Sequence, residues 1–250
     1  MTTASPVPSS IPEAQAQISA FGRVIGAIAN PKPTFEDIAR KPSWILPVII
    51  VIVLNLATIF VFSQRVGWEQ VIRQQLEQSP RSQQMTAEQR EQAVQRGAPI
   101  AKIIGYVGPI FVIVAFLAEA GIFLGAMNLI GGARVSFSKS LGIVAHSAMP
   151  GCIAFLLGIA ILFLKNPETV DIQNLVGSNL GVLLGSDSPK WLSSLAQSID
   201  LFSFWSMALL ATGYSAADPK KLTWGKALGV VIGVWAIYVI LKVVLSAAFS

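Results

Sequence analysis

The chain has 250 residues, 53% of them hydrophobic and only 12% charged, about half the charged share of a soluble domain. Mean hydropathy is +0.63, and so little polar surface cannot clothe a water-facing globule; lipid is the solvent for most of the chain. One cysteine, Cys152, and one histidine, His146, exclude an intrachain disulfide, a multi-histidine centre and an HExxH zinc site. The net charge of +5 is read as membrane orientation rather than as a nucleic-acid footprint. No nucleic acid, metal or cofactor is expected.

The first 17 residues are rich in Pro, Ser, Thr and Ala and carry no Lys or Arg. They lack the positive start and apolar run of a secretory signal and are expected to be a disordered tail. Within 18–42, Ile18, Phe21, Ile25 and Ile28 recur on one face of a helix that is too short to span. Arg23 lies off that stripe, and Asn30-Pro31 ends it. This segment fits an amphipathic helix in the headgroup layer or one packed on the bundle.

Residues 43–250 read as a membrane domain with five spans, at about 44–62, 103–130, 141–164, 199–217 and 227–249. A polar insert, 63–102, separates the first two. Its stripe of Trp68, Val71, Ile72 and Leu76, the break at Ser79-Pro80, the capping-box start at Thr86–Gln89 and the stop at Gly97 and Pro99 suggest a helical hairpin on the membrane surface. An apolar run at 172–185 has the length of a short interfacial or re-entrant helix. Lys242, near the end of the last span, can snorkel to the interface. The expected fold is therefore an all-α integral membrane protein with five transmembrane helices and interfacial helices.

Five spans put the N-terminus and loops 131–140 and 215–226 on one side. Without the long first insert, Lys and Arg number nine there against three opposite. The N-terminus is then cytoplasmic and the C-terminus is not.

Four stretches resemble the Yip family of five-span membrane proteins (YIP1-domain proteins) in its short prokaryotic form. They are Asn30-Pro31 with Thr34-Phe35, Ile38 and Pro42; Gly131-Gly132, Ser136 and His146–Pro150; Ile199–Trp205; and Lys220–Ala227 with the apolar tail. The resemblance implies the fold and a membrane location: the bacterial cytoplasmic (inner) membrane, or endoplasmic reticulum and Golgi membranes in a eukaryote. Eukaryotic members bind Rab GTPases in vesicle traffic and carry an Asp-Leu-Tyr-Gly-Pro motif in a longer N-terminal region. That motif is missing here, so a Rab-type partner is not expected.

Counting 1.5 Å per residue from the span ends places Glu119, Asn55, Ser206 and Tyr238 at about 16–18 Å depth, as one polar layer near the midplane. A carboxylate there faces the bundle, pairs or stays protonated. It is either a proton- or ion-coupled site or an interhelix hydrogen bond. His146 is shallower and falls near Asn128, as an interhelix polar pair or a pH-sensitive group. Gly121 and Gly125, and Gly225, Gly229 and Gly233, mark helix faces with small-residue spacing, for packing within the chain or self-association. Gly177, Gly181 and Gly185 suggest close packing of the short helix. There is no GxxxxGK[ST], GxGxxG or GxSxG motif, so no catalytic residue is assigned. The expected function is non-enzymatic: a scaffold or adaptor that contacts lipid and other membrane proteins. The alternative is a small channel or proton- or ion-coupled transporter built around Glu119.

Overall fold

The computed structural model describes residues 18–77, 84–167, 170, 174–185 and 188–248. The expectations for the tail at 1–17 and the Ser79-Pro80 break lie outside these residues. Among them the regular elements are helical, apart from one isolated bridge between Asn179 and Asp200.

The entry segment is two short helices, α1 (Ala20–Ala29) and α2 (Pro31–Arg40), broken at Asn30. Ser19 caps α1 by accepting the Gly22 amide, and Pro31 starts α2 where its missing N–H costs nothing. On α1, Phe21 and Ile25 point outward while Arg23 is buried. The inward face of α1 thus combines Arg23 with Ala27, Val24 and Ile28, which join the core, while Phe21 and Ile25 are left to the surroundings. Arg23 meets Asp37 at 2.7 Å and also donates to the Lys41 carbonyl and the Ser43 hydroxyl. These bonds satisfy the buried charges and tie α1 to α2 and to the start of α3 (Ile45–Arg65).

Helix α4 (Trp68–Glu77) turns back from α3 at Gly67. Its expected stripe packs on α5, with Trp68 wedged against Gly105 and Ile72 against Gly97. Arg73 pairs with Glu91 at 2.9 Å. Helix α5 runs unbroken from Ala87 to Leu129, opened by the Thr86–Gln89 capping box. Here the expected helix stop at Gly97 and Pro99 is corrected. Each proline removes one backbone hydrogen bond, but one lost bond does not end a helix whose neighbouring turns pack on α4, as Gly97 does on Ile72 and Gly105 on Trp68. At 43 residues α5 is about 64 Å long, twice the hydrocarbon thickness. The second half of the insert therefore continues the span instead of forming a separate surface helix.

After the Gly131-Gly132 turn, α6 (Phe137–Ser147) and α7 (Met149–Leu164) form one broken rod, interrupted where Pro150 denies a bond to the His146 carbonyl. The expected helix at 172–185 is not formed over its described residues, 174–185. They make turns and a single 3-10 turn, Leu180–Leu183. Gly177 takes φ +67°, and Asn179 accepts the Gly181 amide, a local bond that competes with helix. The helix lies further on, as α8 (Lys190–Ser198), followed by α9 (Leu201–Ala217) and α10 (Trp224–Ala248).

Four helical rods are long and apolar enough to cross a membrane: α3, α5, α6–α7 and α10. The 17 residues of α9 reach about 25 Å. Helix α9 is the central element, packed on α2, α6, α7 and α10. Its Gly213 lets Ile143 of α6 and Phe35 of α2 approach so closely that a Cβ would clash with both. The bundle has two ends. At one, Asp218 accepts the Arg134 amide and Ser43 abuts Gly142. At the other, Arg65 donates to the Leu162 carbonyl at 3.2 Å and Ser194 of α8 meets Ser246 of α10 at 2.6 Å. Lys242, near the end of α10, donates to Ser198 of α8 at this end of the bundle.

Candidate functional site

The polar groups inside this bundle fall into a fastening and a cavity. The fastening begins with Tyr214 of α9, fully buried, whose hydroxyl lies 2.5 Å from Ser140 Oγ of α6. Ser140 donates its one proton to the Ala120 carbonyl of α5 at 2.7 Å. The phenol must then be the donor to Ser140, and three helices are linked in a line. Neither residue had a spacing signal in the sequence.

Asn128 and His146, expected as a pair, have separate partners. The Asn128 side chain donates to the Val135 carbonyl at 3.0 Å and accepts its amide at 2.9 Å, clamping the α5–α6 turn. His146 Nδ1 donates to the Gly142 carbonyl one turn back at 2.8 Å. The geometry favours a local bond because a helix carbonyl four residues earlier is within reach of the ring.

The cavity, about 910 Å³, lies between α5, α7, α9 and α10 and is bounded at one end by residues 174–179. Three of the four expected midplane residues line it: Glu119, Ser206 and Tyr238. Asn55 does not. It sits half-buried on α3, which packs on α7 and α5 and lines no part of the cavity; depth counting fixes height along a helix but not the direction a side chain takes. Glu119 opens into the cavity. Among the described residues its carboxylate has neither a hydrogen bond nor an ion pair.

Asp200, which the sequence offered only inside a resemblance motif, closes the cavity's end. It caps α9 by accepting the Ser203 amide at 2.8 Å and the Ser203 hydroxyl at 3.0 Å, and it accepts the Ser178 hydroxyl. Backbone bonds from Leu180 to Ile199 and from Leu201 to Ser178 complete a latch that fastens the loop to the α8–α9 junction. An Asp directly before an apolar run was the available signal.

The glycine faces read as packing seams are open. No atom lies within 4 Å of where a Cβ would stand at Gly121, Gly125, Gly225, Gly229 or Gly233. Gly177 and Gly185 are not on a helix, while Gly181 lies in the 3-10 turn and packs closely against Gln197 of α8. Close approaches occur at Gly26, Gly105, Gly131, Gly142, Gly181 and Gly213, whose spacing is irregular.

Long apolar helices, buried polar crosslinks and a laterally placed cavity define a polytopic all-α membrane protein. The Yip1 domain model matches residues 25–245, and the chain belongs to the Yip1-domain family. It is similar to the membrane protein YknW of Bacillus subtilis (strain 168), 24% identical over 218 residues that cover 86% of this chain and 87% of the relative. No solved structure matches.

Proposed function

We propose that this Yip1-domain protein is a non-catalytic scaffold or adaptor that docks the helices of other membrane proteins. The open glycine faces of α5 and α10 carry this reading. Small residues at four-residue spacing permit close helix approach, and in this chain nothing of its own fills them. In this reading α9 crosses as a fifth span, which puts the two chain ends on opposite faces. The distribution of Lys and Arg supports a cytoplasmic N-terminus in a bacterial inner membrane, and the outward Phe21 and Ile25 of α1 support a helix lying in the headgroup layer.

Site-specific photo-crosslinking from Ile232, which is 46% exposed beside Gly233, tests this. Discrete protein adducts that disappear in Gly229→Leu, with folding unchanged, are expected. Adducts to lipid alone refute docking at this face. A second reading, the channel or ion-coupled transporter, is favoured by the cavity that gathers Glu119, Ser206 and Tyr238. Under that reading, Glu119→Gln abolishes solute-coupled proton movement in reconstituted vesicles.

A further inference from the structure

We propose that the cavity between α5, α7, α9 and α10 is a binding site for a lipophilic cation, an apolar body carrying an ammonium-like charge, which enters from the bilayer. The volume of about 910 Å³ falls within the range of small-molecule sites. The walls are aliphatic and aromatic, with Phe155, Phe202 and Trp235 among them, and aromatic faces attract cations. No Lys or Arg lines the cavity, whereas Glu119 and Asp200 do. The Asp200 oxygens are engaged by Ser178 and Ser203. The Glu119 carboxyl has no partner among the described residues, and in its ionised form at that depth it calls for a compensating positive group. The rim carries Ile122 and Tyr238, 57% and 59% exposed, so the cavity opens sideways between α5 and α10, toward the outer surface of the bundle.

A cation has a reason to stay here that an anion or a neutral body of the same shape does not. The site stands apart from helix docking, because Gly121, Gly125, Gly225, Gly229 and Gly233 are not among its lining residues; loss of crosslinked partners leaves it untouched.

The test uses the full chain in phosphatidylcholine nanodiscs, with empty nanodiscs as the baseline. Equilibrium dialysis compares tetraphenylphosphonium, tetraphenylborate and neutral triphenylphosphine oxide. Saturable binding of the cation at one per chain is expected, with the anion about ten-fold weaker or worse, as befits loss of a charge-assisted contact. Glu119→Gln keeps the shape and lowers cation binding about ten-fold, leaving the neutral compound unchanged. Gly151→Leu, at a lining position with nothing within 4 Å of its Cβ, fills the cavity and lowers binding of all three. The proposal is overturned if the anion binds as well as the cation, if Glu119→Gln leaves cation binding intact, or if Gly151→Leu changes nothing. Should Glu119→Gln fail to fold, the cation-to-anion ratio of the native chain and the Gly151→Leu result still decide it.

Discussion

The line Tyr214–Ser140–Ala120 makes an asymmetric demand on mutation. In Tyr214→Phe, Ser140 keeps its bond to the Ala120 carbonyl, and only one interhelix hydrogen bond is lost. Such bonds contribute about 0.6 kcal/mol on average in membranes. In Ser140→Ala, the Ala120 carbonyl retains its own helical partner, but the Tyr214 hydroxyl, fully buried, is left unpaired at a cost of about 1–3 kcal/mol. Removing both groups eliminates the orphan, so Ser140→Ala/Tyr214→Phe is expected to be more stable than Ser140→Ala alone. Unfolding from mixed micelles by SDS, followed by fluorescence of the six tryptophans, measures all three. Additive losses, or a tyrosine variant weaker than the serine one, would show that the phenol is not the donor and refute the reasoning.

Other expectations rest on the same assay or a close variant of it. Arg23→Met strands Asp37, whose side chain is 12% exposed, and should cost about 3–5 kcal/mol, with most recovered in Arg23→Met/Asp37→Leu; equal losses in both would argue against a buried ion pair. Gly213→Ala drives a methyl into Ile143 and Phe35 and should cost about 1–3 kcal/mol, whereas Gly229→Ala, with open space around it, should fall within about 0.5 kcal/mol or stabilise the helix slightly. Asp200→Ala removes the α9 cap, about 1 kcal/mol, and should speed amide exchange at Leu180 and Leu201, whose bonds form the latch; unchanged protection there means the loop is held by something else.

Hydropathy made the apolar rods legible, because lipid demands about 20 unbroken apolar residues and little else satisfies that demand. The capping box at Thr86 was equally legible, since it is a local bond pattern. What failed were inferences that needed direction. Pro99 reads as a stop from local sequence alone, and here packing on Ile72 and Trp68 of α4 carries the helix through it. Asn55 shares a depth with Glu119 but not a face of the bundle. The apolar content of 174–185 suggests a helix, while its glycines and the Asn179 side chain hold it in turns. Glycine spacing shows how closely a helix can be approached, not what approaches it: the regular series at Gly225, Gly229 and Gly233 meets nothing, and the isolated Gly213 meets two helices.

The polar residues are also divided between the two ends of the molecule. At the end holding α1 and α2, the bonds Arg23–Asp37, Asn128–Val135, Ser140–Tyr214 and Arg134–Asp218 lock five helices to one another around Phe35, Ile38 and Ile143, all fully buried. Phe35 and Ile38 sit in the stretches that resembled the Yip family, and so do Asp200, Phe202 and Ser203 of the cavity, so the resemblance reaches both ends of the molecule. At the far end the cavity is bounded by a glycine-bearing loop held by the Ser178–Asp200 side-chain bond and by the backbone bonds from Leu180 to Ile199 and from Leu201 to Ser178. Such bonds are individually weak beside a packed core. The frame therefore fixes the helices at one end, and at the other the loop bounding the cavity is held by one side-chain bond and two backbone bonds.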